Sequence, residues 1–131
     1  KRAYVIVQKD FRAVMGDGGM SGRVFSALSF IAGMPGITQS DLARNLGIER
    51  SGLVAIIDEL EAAKFVRRLA VPGDRRVQAL HPTAIGEKAY AEAVAKVQLH
   101  EDRLLSFLSD TEKKQLVKLL QKIRKSEGEA K

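Results

Sequence analysis

Three groups of side chains in this chain are suited to chemistry, and the chemistry they suit is recognition of an anionic polymer: Arg50-Ser51-Gly52, Asp74-Arg75-Arg76 and Thr38-Gln39-Ser40. Arg50 can reach a phosphate or a guanine edge, while Ser51 and the small Gly52 allow close backbone approach. Val54, Ala55 and Asp58 follow on the face away from Leu53, Ile57 and Leu60. Arg76 stands at the far side of a Pro72-Gly73 turn, from where it can enter a narrow A·T-rich minor groove. Asp74 makes no sense as a phosphate contact; it makes sense as the partner that fixes the Arg76 guanidinium fork. Thr38, Gln39 and Ser40 sit at a helix start, where backbone N–H groups and hydroxyls suit a phosphate. Plainer readings stand beside these. Arg50 and Ser51 also suit a solvated helix start, Asp74 and Arg76 a surface turn pair, and residues 38–40 a capping box with local duty.

Other chemistries lack their residues. The chain has no cysteine, which removes disulfides, thiol nucleophiles, thiolate metal sites and thiol redox sensing together. His81 and His100 are the only histidines, are far apart, and belong to no cluster of metal-ligand spacing. Both are expected to be structural, and neither a metal nor a cofactor is expected. No serine adjoins a histidine and no carboxylate pair falls at helical spacing in an apolar setting, so an enzyme is not expected.

The elements that must position these groups follow from periodicity and breakers. Residues 2–15 place Tyr4, Phe11 and Met15 on one helical face with Val7 and Val14 alongside, until Gly16-Asp17-Gly18-Gly19 breaks the helix. A second helix is predicted over 21–32 on Val24, Leu28 and Ile31, stopped by Gly33 and Pro35-Gly36. Thr38-Gln39-Ser40-Asp41 matches a capping box and opens a short helix with Leu42, Ala43 and Leu46 inward, ended by Gly47. A further helix runs to about residue 64 with Leu53, Ile56, Ile57 and Leu60 buried. Two short helices joined by a glycine-containing turn form a helix-turn-helix. Residues 66–71 and 76–81 are strands around Pro72-Gly73-Asp74-Arg75, which reads as a hairpin. A long helix with Thr83 as N-cap is predicted to about residue 108, spanning about 39 Å. Ser109-Asp110-Thr111-Glu112 is a second capping box, opening a last helix striped by Leu116, Leu119, Leu120 and Ile123. The polar tail from Ser126 is expected to fray.

The order is that of a winged helix-turn-helix, mainly α with a small β-hairpin wing and with dimerisation helices at both ends. At 131 residues the chain fits one domain, with 20–82 as the winged helix and 1–19 and 83–131 as the dimerisation helices. The 83–108 helix is longer than a compact domain of this size needs, and the Leu116–Ile123 stripe is read as dimer core. Hydrophobic residues make up 45% and charged residues 29%, with no apolar run long enough to span a membrane. The chain starts at Lys1-Arg2 with no initiator Met, which leaves room for a preceding stretch, and shows no signal peptide; a cytoplasmic location is expected. The net charge of +6 favours an anionic partner. It divides as +3 over residues 1–37, +1 over 38–82 and +2 over 83–131, so nucleic-acid contact must rest on placement.

The stretch Ile37-Thr38-Gln39-Ser40-Asp41-Leu42-Ala43-Arg44-Asn45-Leu46-Gly47-Ile48 resembles the start of the helix-turn-helix in the MarR family of bacterial transcription regulators. Asp58-Glu59-Leu60-Glu61, Phe65-Val66-Arg67-Arg68, the Asp74-Arg75-Arg76 wing tip and His81-Pro82-Thr83-Ala84-Ile85-Gly86 continue that resemblance in order. It implies a homodimer joined through its outer helices, winged helices on palindromic double-stranded DNA, and affinity lowered by small ligands. Many members carry a polar residue followed by Arg where this chain has Val54-Ala55, which can touch a thymine methyl but form no bidentate hydrogen bond. The resemblance also implies an effector crevice between the dimer helices and the winged helix. Phe11, Met15, Met20, Phe25 and Phe30 with Arg12 and Arg23 suit an aromatic or anionic ligand there, although phenylalanines and methionines at helical spacing equally suit a core. The expected function is a ligand-released repressor; the alternatives are a nucleoid-type DNA binder and a protein-docking winged helix without operator specificity.

Overall fold

The computed structural model describes residues 20–129 together with Ile6, Lys9, residues 11–13 and Met15. The latter six are in helical backbone, as the spacing predicts, whereas Tyr4, Val7, Val14 and the glycine break lie outside the described residues.

Helix α1, Gly22–Gly33, starts where the Ser21 hydroxyl accepts the Val24 N–H at 3.3 Å. It buries Val24, Ala27, Leu28 and Ile31. A two-residue strand, β1 (Ile37–Thr38), follows and was not expected, because two residues carry no alternation to read. Helix α2, Gln39–Leu46, is capped as predicted: Thr38 Oγ1 accepts the Asp41 N–H at 3.2 Å, and Asp41 pairs with Arg44 at 3.2 Å. Gly47 closes it in the left-handed region at φ 66°, with the Ile48 N–H donating to the Ala43 carbonyl.

Helix α3, Arg50–Ala62, buries Leu53, Ile56, Ile57 and Leu60, the stripe predicted for it. It stops two residues short of the expected end. Lys64 takes φ 63°, its N–H bonds the Glu61 carbonyl, and the Phe65 N–H reaches back to Leu60. This is a Schellman closure with a lysine where glycine is usual.

Strands β2 (Val66–Val71) and β3 (Asp74–Pro82) form the wing, and the sheet order is β1-β3-β2, all antiparallel. The turn is only Pro72-Gly73, so Asp74 and Arg75, expected in the turn, belong to β3. Pairing jumps from Ala70↔Gln78 to Val71↔Asp74, leaving residues 75–77 without partners on β2. That bulge pushes the arginine-bearing segment out of the ladder.

Helix α4, Ala84–Leu104, is capped by Thr83, whose hydroxyl accepts the Gly86 N–H at 2.9 Å. It ends four residues earlier than predicted and is about 32 Å long. Helix α5, Asp110–Glu129, opens on a reciprocal capping box: Glu112 N–H to Ser109 Oγ at 3.1 Å and Ser109 N–H to Glu112 Oε1 at 2.9 Å. The Ser109 backbone N–H first, and the Ser109 hydroxyl after it, favour the ionised carboxyl and hold Glu112 below its ordinary range. The backbone is helical past Ser126 to Glu129, with the Ser126 hydroxyl donating to the Ile123 carbonyl.

One core joins α1, β1, α2, α3 and the sheet, with Leu28, Ile31, Leu42, Leu53, Ile57, Leu60 and Leu80 fully buried. Helix α4 is fastened to it twice. Tyr90 stacks on Phe25 at 5.8 Å and its hydroxyl lies 3.2 Å from that of Ser29. At its start, Thr83 Oγ1 donates to the Lys64 carbonyl at 2.6 Å and the Thr83 N–H to Phe65 at 2.9 Å. The N-cap of the long helix is therefore bonded to the two residues that follow the C-terminal turn of α3.

Candidate nucleic-acid interface

The local rules that end one element and start the next bring three distant segments together. The Thr38 cap orients the first turn of α2, Gly47 turns the chain so that α3 begins at Arg50, and the β3 bulge presents Arg76. Thr38, Gln39, Ser40, Arg50, Arg76, Val77 and Gln78 then line one open cleft of about 150 Å³. Five of these seven were expected from sequence. Val77, in the bulge, and Gln78, paired with Ala70 at its edge, were missed because the bulge leaves no periodic signal.

The cleft is basic. Its lining holds two arginines and no acid. The three ion pairs among the described residues are Arg44–Asp41, Arg68–Asp58 and Arg68–Glu61, so Arg50 and Arg76 remain available to an anion. Glu49 makes no side-chain cap to α3, unlike Thr38 and Thr83 at their helices. Ser51, Val54 and Ala55 are exposed along α3, and a Cβ at Gly52 would meet no atom within 4 Å. This face is smooth and largely apolar beyond its first turn.

One expected role needs correction. Asp74 does not grip the Arg76 guanidinium; its Oδ1 accepts the Arg76 backbone N–H at 3.0 Å. A carboxylate two residues upstream in a tight turn reaches backbone sooner than a long side chain. Asp74 thus shapes the wing tip and leaves the guanidinium free to turn toward the cleft. Asp58, expected on the DNA-reading face, is exposed on α3 and its carboxylate accepts from Arg68 Nη2 of the wing at 2.8 Å. Arg75 has its side chain outside the described residues.

The proposed effector residues separate into two groups. Phe11 packs on Phe25 at 6.2 Å and edge-on to His100 at 5.8 Å, extending the Phe25–Tyr90 stack into an aromatic cluster between α1 and α4. Met20 and Phe30 instead pack against the core, Met15 is buried, and Arg12 and Arg23 are exposed. Tyr90 and His100 were not among the expected ligand residues, since each is the one ring in its part of a long helix whose small apolar residues form no clear stripe. His100, 4% exposed, takes the structural place expected of it. Leu116, Leu119, Leu120 and Ile123 are exposed on α5, and Phe107 between α4 and α5 is 80% exposed. No group of His, Cys, Asp or Glu able to hold a metal occurs among the described residues, and no helix among them is long and apolar enough to cross a membrane.

Comparison with known proteins places this geometry. Residues 18–77 match the family model described as MarR family. The chain is 32% identical over 97 residues to the HTH-type transcriptional regulator BilQ of Clostridium symbiosum, covering 74% of this chain and 67% of that protein. Among solved structures it is similar to the transcriptional repressor CouR bound to a 23-mer DNA duplex (33% identity, TM-score 0.88, covering 94% of this chain and 87% of that one). It is also similar to CouR from Rhodococcus jostii RHA1 bound to p-coumaroyl-CoA, at 28% identity and TM-score 0.82 over 93% of this chain and 86% of that one.

Proposed function

The chain belongs to the MarR family of transcription regulators, and from that premise we propose that it is a cytoplasmic, homodimeric repressor bound to a palindromic operator in double-stranded DNA. The observation that carries this reading is the convergence of Thr38–Ser40, Arg50 and Arg76 on one acid-free cleft. In this reading α3 enters the major groove by its first turn, where Arg50 and Ser51 meet phosphate or base edges. Arg76 reaches the flanking minor groove from the wing. Thr38, Gln39 and Ser40 hold the backbone between them. The exposed apolar residues of α5 cover one another across the dimer.

Release follows from a small aromatic or anionic ligand acting between α1, α4 and the N-terminal helix. The aromatic cluster there supports the reading, as does the aromatic acyl thioester held by CouR. Such a ligand acts only by favouring one spacing of the two recognition helices over the other. Because Thr83, the N-cap of α4, is bonded to Lys64 and Phe65 just after α3, a shift of α4 is passed to the end of the recognition helix.

Selection of bound duplexes from a random pool tests the proposal, and an enriched palindrome with half-sites about 10 bp apart is the expected result. Exposed Val54 and Ala55 favour a second reading, a nucleoid-type binder with weak base readout. Binding without enrichment would select it.

A further inference from the structure

We propose that Arg68 is a positioning residue for DNA binding. By clamping Asp58 and Glu61 together it fixes the wing on the recognition helix, and so sets the separation between Arg50 and Arg76. The inference rests on the DNA-binding reading above and adds a residue that does not itself touch DNA.

Asp58 and Glu61 are three residues apart on α3 and therefore share one flank of the helix. Arg68 lies in β2 two residues after buried Val66, so strand alternation turns both side chains toward the same face. Its Nε donates to Glu61 Oε1 at 2.6 Å and its Nη2 to Asp58 Oδ1 at 2.8 Å. One planar fork engaging two carboxylates from successive turns resists both sliding and rotation, which a single lysine could not do. The Arg68 side chain is 27% exposed and that of Glu61 36%, so this arm is less screened than an ordinary surface pair, whereas the Asp58 arm, with Asp58 63% exposed, is open to solvent. Beyond it Leu69 and Ala70 are exposed, and the ladder breaks at Ala70/Val71. The clamp thus stands at the root of the projecting hairpin that carries Arg76.

The arrangement gives an unusual sign. Asp58 and Glu61 sit on the helix that approaches phosphates, so plain electrostatics says that neutralising them should tighten binding. A clamp says the opposite. With Arg68 released, the wing root loses its tie to α3 and Arg76 loses its fixed place.

The experiment measures affinity for a duplex enriched by the selection described above, across a range of salt. It compares wild type, Arg68→Met, Asp58→Asn/Glu61→Gln, and the triple variant, with circular dichroism recording folded protein. The expected result is a loss of about tenfold for Arg68→Met and for the carboxylate pair, with the triple variant no weaker than either and the salt slope unchanged. Tighter binding by Asp58→Asn/Glu61→Gln would overturn the inference. So would Arg68→Met binding within twofold of wild type. A salt slope shallower by about 0.9 in Arg68→Met would overturn it too, since that is the mark of a direct phosphate contact. Should Arg68→Met fail to fold, the carboxylate pair alone decides by the direction of its effect. A wild-type chain that binds no duplex overturns the functional reading itself, an outcome distinct from all of these.

Discussion

Replacing Gly86 with alanine should loosen the joint between the recognition helix and the long helix. A Cβ at this position would lie 2.0 Å from the Phe65 carbonyl oxygen, 2.8 Å from its carbon and 2.9 Å from its Cα. All three are backbone atoms, and the oxygen already accepts the Thr83 N–H at 2.9 Å, so the strain cannot pass into a flexible side chain. Overpacking of this kind costs about 1–3 kcal/mol, and the close approach places Gly86 at the upper end. Moving α4 away also strains the Thr83 cap, worth about 1 kcal/mol, while alanine in a helix returns about 0.5–1 kcal/mol. The net loss is about 3 kcal/mol, or a fall of roughly 10 °C in Tm for a chain of this size. Urea and thermal unfolding at matched protein concentration measure it, because a dimer's midpoint depends on concentration. Gly33→Ala is the control: a Cβ there meets nothing within 4 Å, and the change should be neutral or mildly stabilising. A Gly86→Ala protein within 0.5 kcal/mol of wild type would refute the close-packing argument.

Gly52→Ala should separate stability from binding: the added methyl meets open space in the free protein and gains about 0.5–1 kcal/mol, but it stands on the face of α3 that approaches DNA and should weaken operator binding. Stronger binding by this variant would count against that orientation of α3. Lys64→Gly should raise stability by about 1 kcal/mol by relieving the φ of 63°, read as a higher urea midpoint with unchanged slope. Leu120→Asp should convert the protein to monomer in analytical ultracentrifugation, since it charges an apolar α5 face that one chain leaves exposed. A wild type that is already a stable monomer at micromolar concentration would defeat the dimer.

The fold was largely legible because its signals are local. The buried residues of α3 follow its periodic stripe, and Thr38, Thr83 and Ser109 cap the helices they were expected to cap. What escaped was decided by tertiary packing. The two residues of β1 become a strand only because β3 passes beside them, and α4 ends at Leu104 although its pattern runs on. The interface shows the same division. Arg50 and Arg76 announce themselves by charge at a helix start and a turn, whereas the Asp58–Arg68–Glu61 clamp joins two elements with no common period. Arg68 stood in a motif of the sequence without a task, and Asp74 had the right neighbour but the wrong atom of it. The aromatic cluster was half visible: Phe11 and Phe25 lie in an apolar-rich segment, but Tyr90 and His100 come from a long helix with no apolar stripe to mark them.

The most direct test of the account is a salt titration of binding to the selected duplex by wild type, Arg50→Ala and Arg76→Ala. Each variant should bind more weakly. Arg50→Ala should also lower the slope of log K against log salt by about 0.9, the value for one lost phosphate contact, and the loss from Arg76→Ala should be greatest on duplexes with A·T-rich flanks. Affinity and slope unchanged from wild type in both variants would contradict the claim that this cleft is where the protein holds DNA.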